Sequence, residues 1–191
     1  IEAIYAYDSK IYITGSTITV SSEKSSTNGV YVPTYGAVTV YYTNSTITSS
    51  SETTTAYGMR KYGSEYSLTV NMYSGYIEAF SGTDKNDPST YASTAIGIAY
   101  AYTNIGKENG QPEDNPRVKA IGKDAYGLGG SRNYYDQTVY YGKIETIAKN
   151  KGYSIYCDDA NIYGGIIDSY SYNDLSYGVF ADDANIYGGS I

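Results

Sequence analysis

Cys157-Asp-Asp-Ala-Asn-Ile-Tyr-Gly-Gly165 and Ala181-Asp-Asp-Ala-Asn-Ile-Tyr-Gly-Gly189 differ at one residue and lie 24 residues apart. An internal repeat is the strongest architectural signal a single chain can carry, because each copy must solve the same packing problem. Working outward from it, an anchor made of a small or polar residue, an aliphatic residue, any residue and a small residue recurs at Ile4, Val30, Met59, Ile98, Leu128, Ile155 and Val179. A second anchor follows each, at Ile18, Ile47, Ile77, Ile121, Ile144, Ile167 and Ile191, most of them after a short turn containing Gly or Asn.

The second anchors are spaced by 29, 30, 44, 23, 23 and 24 residues. Stacked helical repeats tolerate such drift poorly, whereas a coil of short strands needs only its strands in register and lets the corners vary. Ile11-Tyr-Ile13, Val38-Thr-Val40 and Leu68-Thr-Val70 alternate as half-buried strands do. The expectation is an all-β right-handed parallel β-helix of about seven coils, one domain over residues 1–191. Loop excursions are expected at Ser21 to Asn28, Ser49 to Thr55, Ser81 to Ser93 and Gly106 to Pro116.

Composition agrees. Of 191 residues 27 are Tyr and 21 Gly, with 2 Phe and no Trp or His. That mixture favours strands, and helix-forming residues are scarce. The net charge of -7, with 13 Lys and Arg spread thinly, argues against nucleic acid as a partner. No apolar run of about 18 residues is present, so membrane insertion is not expected. The chain starts at Ile1 without Met, which suggests a processed protein or a piece of a longer one. Cys157 has no partner for an intrachain disulfide and stands where Ala6 and Ala181 stand, as a small core residue.

Three constellations are candidates for function. Asp158, Asp159, Asp182 and Asp183 fall at equivalent places in adjacent repeats, and four carboxylates so close invite Ca2+; the competing reading is an Asp-rich turn bonded to backbone N–H groups. Tyr156, Tyr163 and Tyr187 follow inward positions and should stack in outward columns, either to brace the sheet or to bind a sugar or another protein. Open coil ends without a cap suggest a slice of a longer rod or a subunit that associates end to end. Other motifs are bland. Gly127-Leu-Gly-Gly130 reads as a tight corner, and Asn44-Ser-Thr46 is a three-residue glycosylation match of low specificity.

The segment Tyr177-Gly-Val-Phe-Ala-Asp-Asp-Ala-Asn-Ile-Tyr-Gly-Gly-Ser-Ile191 resembles the repeats of bacterial right-handed β-helix surface proteins, including the pectate-lyase-like superfamily and its non-catalytic carbohydrate-binding and adhesin-like members. The resemblance implies an extracellular or cell-surface location and contact with polysaccharide or another surface protein. Asp158-Asp159 and Arg117-Val-Lys119 echo two motifs of polygalacturonase-like hydrolases. Their order is reversed and the His is lacking, so no catalytic residue is assigned. A lyase base is not recognisable among Arg60, Arg117 and Arg132. The expected function is a non-enzymatic structural or adhesive module, with calcium-assisted polysaccharide binding as the alternative and a pectin-type lyase or hydrolase behind it.

Overall fold

A computed structural model describes residues 1–33, 36–63, 67–110, 115–129 and 135–191. Within them every strand pairs in parallel, and the sheet curls through 297° about one axis to make a β-solenoid. Three strands form a coil. The first coil is β1 (Glu2–Tyr5), β2 (Lys10–Thr14) and β3 (Thr17–Ser22); the second is β4 (Thr27–Val32), β5 (Val38–Thr43) and β6 (Thr46–Ser51). The third is β7 (Ala56–Lys61), β8 (Leu68–Met72) and β9 (Tyr76–Ser81), and the fourth opens with β10 (Thr94–Ala99) and β11 (Tyr102–Ile105).

From there the strands run around the corners. β12 (Arg117–Gly129) closes the fourth coil and opens the fifth, with a register shift between Gly122 and Asp124 at the bend. After β13 (Gln137–Val139), β14 (Lys143–Ile162) closes the fifth coil and supplies two sides of the sixth. β15 (Ile166–Ser171) completes the sixth, and β16 (Ser176–Ile186) makes two sides of the seventh, whose third side is the bridge from Ile166 to Ser190. Among the described residues no helix is long and apolar enough to cross a membrane.

The first anchors form one column, Ile4 to Val30 to Met59 to Ile98 to Leu128 to Ile155 to Val179, every neighbour a register partner. On the third side the column runs Ile18, Ile47, Ile77, Val118, Ile144, Ile167. Val118 takes the place expected for Ile121. Ile121 pairs instead with Phe80 and Ile147, and with Phe80 and Tyr91 it makes a small satellite core under the Ser81 to Ser93 loop. The aliphatic pattern could not separate the two residues, which sit three apart in one strand. Each buried aliphatic side chain contributes roughly 1.5–3 kcal/mol, so the columns dominate stability.

At Gly29, Gly58, Gly97 and Gly127, each just before a first-side anchor, the first and third sides press together. A Cβ on Gly97 would meet Val118 Cγ1 at 2.3 Å and the Gly127 carbonyl oxygen at 2.6 Å. A Cβ on Gly127 would meet Ile144 Cγ2 and the Ser154 carbonyl oxygen, both at 2.5 Å. Hydrogen at these positions lets the interior be thin. Alongside lies a column of buried alanines, Ala56, Ala95 and Ala125 facing Ala79 and Ala120.

Two expected excursions are only corners, because β3, β4, β6 and β7 extend into them and leave 23–26 and 52–55 as the turns. The Ser81 to Ser93 loop is a real excursion. It holds a 3-10 turn at Pro88–Thr90 capped by the Asp87 carboxylate, which accepts from Ser89 N–H, and it folds back through a bridge between Gly82 and Tyr91. Of the Gly106 to Pro116 loop, 111–114 lie outside the described residues, as do Gly130 and Arg132.

Candidate functional site

The turn between the first two sides brings the four predicted aspartates together. Asp159 and Asp183 are register partners, and Asp158 and Asp182 sit one residue before them. Asp136 joins them from the fifth coil, one residue before the paired Gln137 and Ala160. The sequence held the signal for it: Asp136-Gln-Thr-Val-Tyr140 is a degenerate third copy of Asp159-Ala-Asn-Ile-Tyr163. Desolvation, then Asp159 and Asp182, pushes the Asp158 carboxyl above its ordinary range; desolvation, then Asp159 and Asp158, does the same to Asp136. Among the described residues the corner therefore gathers carboxylates that repel one another.

Asn185 Nδ2 donates to Asn161 Oδ1 at 3.1 Å, so the amide oxygen of Asn161 is engaged in a ladder with the next coil. Among the described residues no three acidic, Cys or His side chains are arranged to hold a metal ion. Cys157 lies buried beneath the corner, and burial together with Asp136, Asp159 and Asp158 lifts its thiol to about 12. It is a thiol at neutral pH and a poor nucleophile, as a core residue should be.

The three predicted tyrosines do not form one site. Tyr163 stacks between Tyr140 and Tyr187 at centroid separations of 5.2 and 4.9 Å, both pairs 12° from parallel. Tyr156 belongs to another patch on the first side, stacked on Phe180 and set edge-on to Tyr126 and Tyr153. Tyr126, Tyr153 and Tyr177 form the parallel column of that patch. Because the rings stack along the axis, each covers its neighbour's face and presents an edge to solvent. Only a ring at the end of a column offers a face, and Tyr187 is 67% exposed.

A groove of about 300 Å³ opens beside the Tyr163 column, lined by Tyr140, Tyr141, Tyr163 and Lys107 to Gly110. Tyrosine edges and hydroxyls beside a cation, a carboxylate and an amide are chemistry suited to a polar ligand.

The third side carries a constellation that the repeat did not advertise. Glu78, Lys119, Glu145 and Asp168 stand in one outward column, with Tyr76, Arg117 and Lys143 in the next. Lys119 Nζ lies 3.3 Å from Glu145, and Lys143 bridges Glu145 at 3.3 Å and Asp168 at 3.7 Å. Tyr76 Oη donates to Glu78 at 2.6 Å, Lys85 pairs with the same carboxylate, and the Arg117 guanidinium stands over the Tyr76 ring. Burial opposes ionisation of Glu145, but the two lysines outweigh it and hold the carboxyl below its usual range. The signal was there in the residues flanking each second anchor, Tyr-Ile77-Glu, Arg-Val118-Lys and Lys-Ile144-Glu. These oxygens are occupied by cations, which suits a cross-strand ladder more than a general acid waiting for substrate.

No protein-family model, no curated protein and no solved structure matches the chain. The all-parallel, strongly curled sheet is the portion of the resemblance to β-helix surface proteins that rests on the structure itself.

Proposed function

We propose that this chain is a non-enzymatic structural module of the extracellular space or cell surface, a rigid stalk or filament segment. The observation that carries the reading is continuity. Aliphatic, tyrosine, asparagine and ion-pair columns pass from coil to coil, so the side-chain chemistry is used chiefly between neighbouring coils. The carboxylates of the third side are held by lysines, and the chain has no His for acid–base or Ser-His-Asp chemistry. Polygalacturonate and related acidic glycans offered to the purified chain should yield neither unsaturated nor reducing ends, while the rod should resist proteases. Turnover that disappears with Glu145→Gln would overturn the reading.

A second reading, polysaccharide binding, is favoured by the groove beside Tyr163. It expects Tyr fluorescence to change on titration with acidic glycans and the change to vanish in Tyr163→Ala. If calcium assists at the acidic corner, chelation or Asp182→Ala should weaken the same titration.

A further inference from the structure

The second side carries tyrosines stacked in register, and we infer that these stacks are sites of oxidative coupling, in which a one-electron oxidant of the peroxidase type joins two rings and staples adjacent coils. The inference goes beyond the structural reading above and, as a means of strengthening a rod, rests on it. Tyr163 lies 5.2 Å from Tyr140 and 4.9 Å from Tyr187, in both cases 12° from parallel. Tyr12 and Tyr41 stack in the same manner, at 5.0 Å and 10°. Backbone pairing fixes these neighbours. Tyr12 is the register partner of Tyr41, and the ladder continues as Tyr163 N–H donates to the Val139 carbonyl and Tyr187 N–H to that of Ile162. Parallel strands hold such partners about 4.8 Å apart, so the ring carbons next to each hydroxyl are brought close to their counterparts.

Oxidation removes one electron and the hydroxyl proton from each phenol and leaves a phenoxyl radical, whose unpaired electron is shared with the two carbons beside the oxygen. Two such carbons on neighbouring rings form a C–C bond, and the hydrogen on each then moves to its own phenol oxygen, which restores both aromatic rings. The pair has given up two protons and two electrons in all. Hydrogen peroxide, acting through a haem peroxidase, takes them up as it is reduced to two waters. Holding the two rings together replaces a chance encounter between radicals by a reaction within one chain.

Coupling also needs room, because rings stacked face to face must turn before their edges can be joined. Tyr140 and Tyr163 line the groove of about 300 Å³, and Tyr163 is 49% exposed. The first-side stack of Tyr126, Tyr153 and Tyr177 is as close, at 5.2 and 5.3 Å, but its rings are locked from the side. Tyr156 stands edge-on to Tyr126 and Tyr153, and Phe180 edge-on to Tyr153 and Tyr177. Burial also pushes the Tyr126 hydroxyl up to about 12, which opposes release of its proton. Separation alone therefore does not choose the site; the packing around the rings does.

The test is to treat the purified 191-residue chain, dilute enough to suppress contact between chains, with a haem peroxidase and hydrogen peroxide, and to map joined peptides by mass spectrometry. The monomer should lose hydrogen atoms in pairs and gain dityrosine fluorescence. The principal joined peptides should carry Tyr163 with Tyr140 or Tyr187, and Tyr12 with Tyr41. Tyr163→Phe keeps the ring and removes the hydroxyl, so it should lower the first product by about tenfold and leave the second, and Tyr41→Phe should do the reverse. A bond between Tyr140 and Tyr163 constrains the unfolded chain, and the stapled protein should melt about 8 °C higher. Circular dichroism confirms that each variant folds. Joined peptides confined to Tyr126, Tyr153 and Tyr177, coupling between chains only, or a Tyr163→Phe yield equal to that of the wild type would overturn the inference. Each of these results leaves the structural reading intact, whereas glycan turnover would remove that reading and leave the staple.

Discussion

The two copies of the sharpest repeat in the sequence are buried very differently in the fold. Residues 157–165 and 181–189 are nearly identical, yet Ile162 is fully buried and Ile186 is half exposed. The third and fourth coils, whose sequences barely resemble one another, pack Met59, Ile77, Ile98 and Ile105 with no exposure at all. The contrast shows that in a solenoid the sequence of a coil sets its shape, but its neighbours above and below set its burial. A middle coil is covered twice and an end coil once.

That contrast can be broken by paired substitutions. Ile144 and Ile191 occupy the same column, one inside and one at the end. Ile144→Ala should cost about 4 kcal/mol in urea denaturation and Ile191→Ala about 0.5 kcal/mol. Equal losses would mean that the seventh coil is covered in solution, as it would be in an assembly.

Glycine gives the next largest difference. Gly97→Ala drives a methyl into the Gly127 carbonyl and should cost about 3 kcal/mol. At Gly178 the one close approach of the equivalent Cβ is to the exposed Ile191 side chain, with Ile167 at ordinary contact distance, so Gly178→Ala should cost less than about 1 kcal/mol. The aromatic patch sharpens the comparison in the other direction, because here the later coils are the better packed. Tyr153, with contacts to Tyr126, Tyr156, Tyr177 and Phe180, should lose about 1.5 kcal/mol on replacement by Ala. Tyr12, whose one ring partner among the described residues is Tyr41, should lose about 0.5 kcal/mol.

The smallest effect is electrostatic. The Asp158 and Asp136 carboxyls titrate above their usual 3.8, so the folded chain holds protons that the unfolded chain has released. Their contribution is a destabilisation that grows as pH rises from the unfolded value through the folded one and is complete above it. Asp158→Asn should therefore raise the melting temperature slightly at neutral pH and leave it unchanged well below 3.8. A rise of equal size at both pH values would mean that charge is not its cause.

How much of this was legible in the sequence varied with the physics of each element. The first-anchor column could be read at all seven positions, because a small residue before the aliphatic one marks the close approach of two sides. The third-side column failed once, at Val118: Ile121, three residues on and so on the opposite face of the strand, offers the same chemistry and is buried against Phe80 and Tyr91 under the Ser81 to Ser93 loop. The aspartates and tyrosines were found through the terminal repeat, and Asp136 was missed because its copy of the motif has drifted. Grouping Tyr156 with Tyr163 failed for a geometric reason: they lie on either side of the turn from the first side to the second, and sequence distance does not register a corner. The ion-pair ladder was legible only as charged residues flanking the third-side anchors of the third, fourth and fifth coils, and it was missed because the anchor of the fourth coil was placed at Ile121 and not at Val118.

That pairing is also the claim on which the rest depends, and cysteine cross-linking in a Cys157→Ala background tests it directly. Thr138 and Asn161 are register partners on adjacent coils, and Asn185 is one coil further on. Adjacent parallel strands stand about 4.8 Å apart and second neighbours about twice that, so only the first spacing suits a disulfide. Thr138→Cys with Asn161→Cys should oxidise to an intrachain disulfide, and Thr138→Cys with Asn185→Cys should remain reduced. Cross-linking of the second pair in preference to the first would contradict the parallel, in-register stack.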